Sequence, residues 1–344
     1  MVDFAGWDMP VQYSTIIDEH NAVRQAAGLL DIAHMGRLYF RGPDAAALLD
    51  YVVTNDVTAL EVGQVRYALV TNEAGGILDD VLVYRFPDHY LLVVNASNRE
   101  KIVDWIAQHR EKFDVEVDDA TFRHFMVAIQ GPLAGEILST HVETDLVAMG
   151  YYTALETKVL GQPGCVSRTG YTGEDGFEVI VDVERAVELW ETLIAAGAGR
   201  GLLPAGLGCR DTLRLEAAMP LYGHELSEEI DPYTAGLGFG VKLQAGDFIG
   251  KSAVAAAKAN PNRRKRVGLE LEGRRIAREG AELFVGDTPA GEVTSGTFSP
   301  TLQKSIAMGY VDAPLAAVGT ALEVDIRGKR APAIVVPLPF YRRS

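Results

Sequence analysis

Cysteine is scarce. Of 344 residues only Cys165 and Cys209 carry a thiol, and there is neither a Cys-x-x-Cys pair nor two histidines at ligand spacing. A disulfide framework and a structural zinc site are both excluded, no metal is expected, and a reducing compartment fits best. Positive charge is in deficit, with 32 Lys and Arg against 47 Asp and Glu and a formal net charge of −15. That sign repels phosphate backbones and anionic membrane surfaces at long range, so nucleic acid is not an expected partner. No apolar run reaches the roughly eighteen residues of a membrane span. The chain also enters Asp3, Trp7 and Asp8 without a basic and then apolar leader, so a cytoplasmic protein is expected.

What is present is an ordinary globular composition, 48% hydrophobic and 23% charged, with a mean hydropathy of +0.05. The length is about two to three times that of a usual domain, which predicts more than one core.

Ile16, Ile17, Val23 and Ala27 recur at helical spacing, predicting a helix capped by Ser14 and ending at Gly28. Leu38 and Phe40 alternate as a strand, and Gly42-Pro43-Asp44 opens an Ala/Leu-rich helix. Three antiparallel strands are predicted over 65–71, 77–86 and 89–95, then a helix capped by Ser97 and a strand around Val115 and Val117. Strand, helix, three strands, helix, strand is a two-layer α+β pattern of split β-α-β character. Further on, a strand over 125–130, a helix opened by Pro132, a strand over 178–181 and a helix from Val183, with Asp182 before it and Gly197 after it, are predicted. From about Arg263 the pattern changes to five short strands, 267–271, 282–285, 290–294, 305–311 and 321–326, a separate small all-β domain.

Three segments concentrate chemistry. Ser167-Arg168-Thr169-Gly170-Tyr171-Thr172-Gly173-Glu174-Asp175-Gly176-Phe177-Glu178 offers close backbone approach and carboxylate acceptors for a ligand rich in N–H groups; taken alone it reads first as a Gly-rich loop between strands. Gly206-Leu207-Gly208-Cys209-Arg210-Asp211-Thr212-Leu213-Arg214-Leu215-Glu216 opens a helix on which Arg210 could fork a ligand carboxylate, while Arg214 reads as internally paired. In Gly75-Gly76-Ile77-Leu78-Asp79-Asp80 two adjacent acids begin an apolar strand, so they point to opposite faces and at least one meets an enclosed side. An acid there is costly unless it binds something or caps the turn.

These segments carry a resemblance, together with Phe4-Ala5-Gly6-Trp7-Asp8-Met9-Pro10, His34-Met35-Gly36, Val94-Asn95-Ala96, Gln130-Gly131-Pro132 and Thr294-Ser295-Gly296-Thr297-Phe298-Ser299-Pro300. In this order along essentially the whole chain, they resemble the T-protein family of the glycine cleavage system, the tetrahydrofolate-dependent aminomethyltransferases. The resemblance implies a three-lobed cloverleaf of antiparallel-sheet α/β domains, with a small C-terminal β-barrel or jelly roll and a central folate channel. The implied domains are 1–30 with 118–255, then 31–117 carrying Asp79, then 263–344. The implied reaction transfers the one-carbon unit of aminomethyl-lipoyl H-protein to tetrahydrofolate with release of ammonia.

Residue by residue, Asp79 falls on the family's essential aspartate, Glu178 on the carboxylate that accepts pterin N–H groups, and Arg210 on the arginine at the folate tail. Met35, Tyr67, Asn95 and Tyr171 match channel-lining positions, and Tyr341 or Arg342 matches the closing segment. A carboxylate facing a closed site suits a nitrogen that gains positive charge during transfer. The expected partner is lipoylated H-protein, met by a monomer, and the basic run Arg263-Arg264-Lys265-Arg266 is either its docking site or a solvated linker. On the same scaffold, an O- or S-demethylase and a non-catalytic folate-binding protein are the competing readings.

Overall fold

The structure, a computed structural model, describes residues 1–343. Three lobes surround a central cavity. The first is a six-stranded sheet in the order Ala154–Val159, Gln162–Ser167, Gly176–Asp182, His124–Gln130, Ala27–Asp31 and Leu202–Pro204, in which only the last pair is parallel. Helices Ala134–Leu138 and Ala186–Gly197 pack on one face around Leu29, Val127, Ile129 and Val179. The second lobe is an antiparallel sheet ordered Val65–Thr71, Ile77–Arg85, Tyr90–Val94, Gly36–Arg41 and Glu116–Asp119. Helices Ala45–Val52 and Arg99–His109 cover one of its faces through Leu48, Leu49, Ile102 and Ile106. Each such fully buried aliphatic side chain contributes about 1.5–3 kcal/mol by leaving water.

The opposite faces of the two sheets meet each other. Leu30, Met126 and Ile180 of the first pack with Tyr84, Leu91 and Val93 of the second, joined by Val23, Cys209 and Leu213 from helices Ile16–Gln25 and Leu207–Glu216. The third lobe is a closed barrel, Lys265–Leu271, Lys304–Val311, Thr288–Ser299, Glu282–Val285, Ala321–Asp325 and Arg330–Val336, filled by residues such as Leu269, Leu283, Val293 and Val324. Ile306 and Met308 on the barrel's outside dock against Leu215 of the first lobe. No described helix is long and apolar enough to cross a membrane.

The first helix differs from the sequence expectation. Thr15 caps it, its side chain accepting from the Asp18 N–H at 3.1 Å, and it stops at Gln25. Ala27–Asp31 is instead a central strand, where burial on both faces leaves an apolar run with no alternation to read. Ser97 lies in a 3-10 turn, Ala96–Asn98, ahead of the helix it was expected to cap. The sixth barrel strand escapes the sequence reading because its inward residues are Ala331, Ala333 and Val335 and its outward ones include Pro332, which demotes a run as a strand.

Candidate functional site

Strand Ile77–Arg85 decides which acid faces the cavity. Asp79 sits with Val81 and Val83 on the helix-covered face and is fully buried. Asp80 sits with Leu82 and Tyr84 on the face turned to the first lobe and lines a cavity of about 500 Å3. The alternation expected from sequence holds, but the carboxylate that borders the cavity is Asp80. Asp79 is sealed behind it.

Asn95 ties the two together. Its Nδ2 donates to Asp79 Oδ1 and to Asp80 Oδ1, both at 2.8 Å, and its N–H donates to Asp79 Oδ2 at 3.0 Å. Asn98 adds a bond to Asp79 Oδ1 at 2.6 Å, and the Tyr67 hydroxyl donates to Asp80 Oδ2 at 3.1 Å. Burial pushes both carboxyls above the usual carboxylate range, and the charge of Asp80 pushes Asp79 further, against the pull of these donors. The pair therefore titrates as a unit, above the range of a free Asp.

On the opposite wall, the glycine-rich loop folds against Gln130. A Cβ on Gly170 would lie 2.0 Å from Gln130 Oε1, the atom that accepts from Thr172 Oγ1 at 2.9 Å. Of the loop's three acids, Glu174 pairs with Arg24 at 2.9 Å and Asp175 with Arg168 at 2.6 Å, so Glu178 alone reaches the cavity. Its Oε2 accepts from Thr169 Oγ1 at 2.5 Å and Tyr84 Oη at 3.5 Å, and Oε1 has no donor among the described residues. Burial raises this carboxyl as well.

Arg210 is brought in by the start of helix Leu207–Glu216. Gly206 lets that start press on Val11, whose carbonyl oxygen would be 2.5 Å from an added Cβ, and its N–H donates to Glu19 Oε2 at 2.9 Å. The Arg210 guanidinium lies 4.7 Å from the centre of the Tyr171 ring and pairs with no carboxylate among the described residues. Arg214, one turn on, is bound internally to Asp211 and Glu225, both at 2.7 Å, as expected.

Met35, Tyr67, Asn95 and Tyr171 line the same cavity, and the Tyr67 ring stacks on Phe239 with centroids 5.4 Å apart. Tyr341 does not reach it. Its ring lies under Arg24, 4.0 Å from the guanidinium carbon, and its N–H donates to Glu216 O at 2.9 Å at the far end of helix Leu207–Glu216, while Arg342 is exposed outside the cavity lining. The basic run is not one patch. Arg263 donates to the carbonyls of Lys258 and Asn260 at a helix end, Arg264 pairs with Glu292 at 3.4 Å, Lys265 is exposed, and Arg266 turns inward to the cavity and donates to Ala218 O at 3.3 Å. Strand pairing from Lys265 onward forces this split, since alternate residues face opposite ways.

Sequence reasoning missed His34 as a wall residue. It is buried edge-on to Phe4 at 5.3 Å, and burial, with Arg210 and Arg37 nearby, pushes its imidazole down to about 3, so the ring is neutral. One group of metal-ligand type, Asp88 with His89 and Glu156, exists among the described residues, and it lies outside the cavity lining.

Comparison with known proteins agrees along the full length. A family model described as the GCVT N-terminal domain matches residues 1–245, and one described as the glycine cleavage T-protein C-terminal barrel domain matches residues 264–342. An aminomethyltransferase of Streptomyces avermitilis is 51% identical over 351 residues, covering 100% of this chain and 94% of the relative. One from Symbiobacterium thermophilum is 50% identical, covering 99% and 93%. The crystal structure of the glycine cleavage system aminomethyltransferase T from Bartonella henselae superposes with a TM-score of 0.92 at 34% identity, over 99% of this chain and 93% of that one.

Proposed function

Because the chain belongs to the glycine cleavage T-protein family, we propose that its aminomethyl transfer takes place in the central cavity, with Asp80 at the reacting atoms and Glu178 and Arg210 holding a folate at its two ends. The chain is an aminomethyltransferase of the glycine cleavage system. The family is folate-dependent in general, and the system implies H-protein as partner.

The observation that carries the site assignment is the unequal treatment of charge in one cavity. Glu178 keeps an oxygen without a donor, Arg210 keeps a guanidinium without a carboxylate, and a stacked aromatic pair lies between the walls. A pterin presents N–H donors and a flat ring, and its benzoylglutamate end presents carboxylates, so the donor set fits a folate, as does the volume. Tetrahydrofolate, when bound, supplies the nitrogens that take up the one-carbon unit. Glu178 accepts the pterin N–H groups, Arg210 receives a carboxylate, and the Tyr67 and Phe239 rings bound the space between. Asp80, oriented by Tyr67 and Asn95, stabilises positive charge at a nitrogen facing it and can hold a proton, since its carboxyl titrates above the ordinary range. Asp79 acts through Asn95 as a positioning residue. No protein metal ligand is part of this reading, and we take the working unit to be a cytoplasmic monomer.

The test mixes purified protein, tetrahydrofolate and aminomethylated H-protein. Methylenetetrahydrofolate and ammonia are expected in equal amounts and only with all three components present. Product from an O- or S-methyl donor without H-protein would overturn the reading.

A further inference from the structure

Away from the cavity, the seam between the first two lobes carries the one group of metal-ligand type among the described residues. One ligand atom each from Asp88, His89 and Glu156 lies within 4.8 Å of the others. Two lobes supply them. Asp88 and His89 lie in the turn between strands Ile77–Arg85 and Tyr90–Val94, closed by the Phe86 N–H donating to His89 O at 2.9 Å. Glu156 stands on edge strand Ala154–Val159 of the first lobe. The Ala154 N–H donates to Gly63 O, and the Gly63 N–H to Arg85 O, both at 2.8 Å, which sets the edge strand beside the hairpin. The ligands meet through strand register and not through a local motif, so residue spacing carries no sign of them.

The group is left unfinished by the protein. Neither carboxylate pairs with a lysine or arginine among the described residues, and Asp88 Oδ1 has only His89 Nδ1, at 2.8 Å. His89 is just 5% exposed, its ring stacked on Phe86 with centroids 4.7 Å apart and 5.5 Å from the Tyr39 ring, and its Nε2 has no hydrogen-bond partner. A buried polar atom without a partner is uncommon in a folded protein. Here it also leaves the tautomer unfixed, because no protein group holds Nε2 as donor or as acceptor. A cation arriving between the carboxylates can therefore take the Nδ1 lone pair. The only protein bond given up is the one to Asp88, whose oxygen becomes a ligand in turn.

We propose that Asp88, His89 and Glu156 bind one divalent transition-metal ion, zinc fitting the donors best, as a staple between the first and second lobes. One imidazole and two carboxylates are a donor set that zinc accepts with water completing its shell, whereas magnesium favours oxygen alone. An ion held on both lobes binds only the assembled pair, so it stabilises that assembly in proportion to its own binding. The site lies outside the cavity lining and takes no part in aminomethyl transfer.

Titration calorimetry with zinc chloride on the chelator-treated full chain tests it, beside the variants Glu156→Gln and Asp88→Asn. Both positions are exposed, so folding is not at risk, and Glu143→Gln, a surface acid paired with Lys158, serves as control. Wild type and control should bind one zinc ion per chain, undisturbed by magnesium in about a hundredfold excess. Each of the two variants should bind it about tenfold or more weakly. Zinc should also raise the melting temperature of the wild-type chain in a concentration-dependent way, and Glu156→Gln should abolish that rise. Absence of one-to-one zinc binding, equal affinity in the two variants, or displacement by magnesium overturns the proposal. A rise in melting temperature that survives Glu156→Gln puts the ion on the hairpin alone and overturns the staple.

Discussion

Two polar regions lie where the lobes meet, and they are finished differently. Around Glu216 every charge is answered. Its Oε2 accepts from Arg24 Nη2 at 2.9 Å and Thr301 Oγ1 at 2.8 Å and lies 3.2 Å from His20 Nε2, and its Oε1 accepts from the Ser299 hydroxyl and the Thr301 N–H. Around the cavity, Arg210, Glu178 and Asp80 keep unused capacity. Both regions are buried and both are charged, so burial of charge alone does not mark a site. Incomplete pairing does, because an unanswered buried charge is costly in the folded state unless a ligand answers it.

The contrast can be broken by substitution, and the largest effect is expected at Asp80. Asp80→Asn should lower turnover about 10²–10⁴-fold while the melting temperature holds or rises. A carboxyl held above its unfolded value of about 3.9 opposes folding increasingly as pH rises from there through the raised folded value, and the amide removes that cost. Retention of more than half of wild-type turnover would move the chemistry off this residue.

Next is Glu216→Gln, which leaves buried Arg24 and His20 without their carboxylate. A loss of about 3–5 kcal/mol in stability is expected by chemical denaturation, with turnover per folded molecule nearly unchanged. Burial works against the Glu216 charge, but hydrogen bonds from His20 and Ser299 and the charge of Arg24 hold its carboxyl down to about 2. Since the unfolded value is about 4.3, its stabilisation is complete above that pH and is lost as pH falls toward 2, roughly 3 kcal/mol in all. The gap in melting temperature between wild type and variant should close over that window; a constant gap would mean that packing, not charge, holds the junction.

Glu178→Gln and Arg210→Ala should each weaken tetrahydrofolate binding about ten- to a hundredfold by calorimetry, with smaller effects on the chemical step. Asp79→Asn sharpens the comparison between neighbours: one amide hydrogen pair would face the Asn95 N–H, so a stability loss of about 1–3 kcal/mol should accompany whatever activity it loses. The smallest effect is expected from Arg264→Ser with Lys265→Ser. With Arg263 and Arg266 turned to other tasks, the Michaelis constant for H-protein should change less than about twofold.

The elements with a clean period were legible in the sequence. The order strand, helix, three strands, helix, strand over residues 36–119 and the barrel's first five strands follow from alternation, turn residues and Gly/Pro punctuation. The glycines ahead of Glu178 and of Arg210 marked both segments for close backbone approach, but taken alone the first reads as a loop and the second equally as an internally paired helix, and the two ligand roles came from the family resemblance. What alternation cannot say is which face the helices will cover. Asp79 and Asp80 are separated correctly by the two-residue period, but their fates depend on Leu48, Leu49, Ile102 and Ile106 arriving from elsewhere in the chain. Arg266 and Tyr341 fail for a related reason. A run of like charge reads as solvated until strand pairing turns one member inward, and a terminal tyrosine reads as a channel residue until Arg24 takes its ring.

The junction at Glu216 also sets an order of events at the ribosome. Arg24 stands 192 positions before Glu216, and Thr301 stands 85 positions after it. A nascent chain that has delivered both sheets still holds a carboxylate lacking its Ser299 and Thr301 donors, and a cavity lacking Arg266. Closure therefore waits for the barrel, whose Thr301 also meets His20 and Arg24 across 281 and 277 positions, and such contacts form last and slowly. The cavity wall is thus finished only after both sheets have been made, so a ribosome stalled in the barrel presents two lobes with the Arg266 side of the wall still missing.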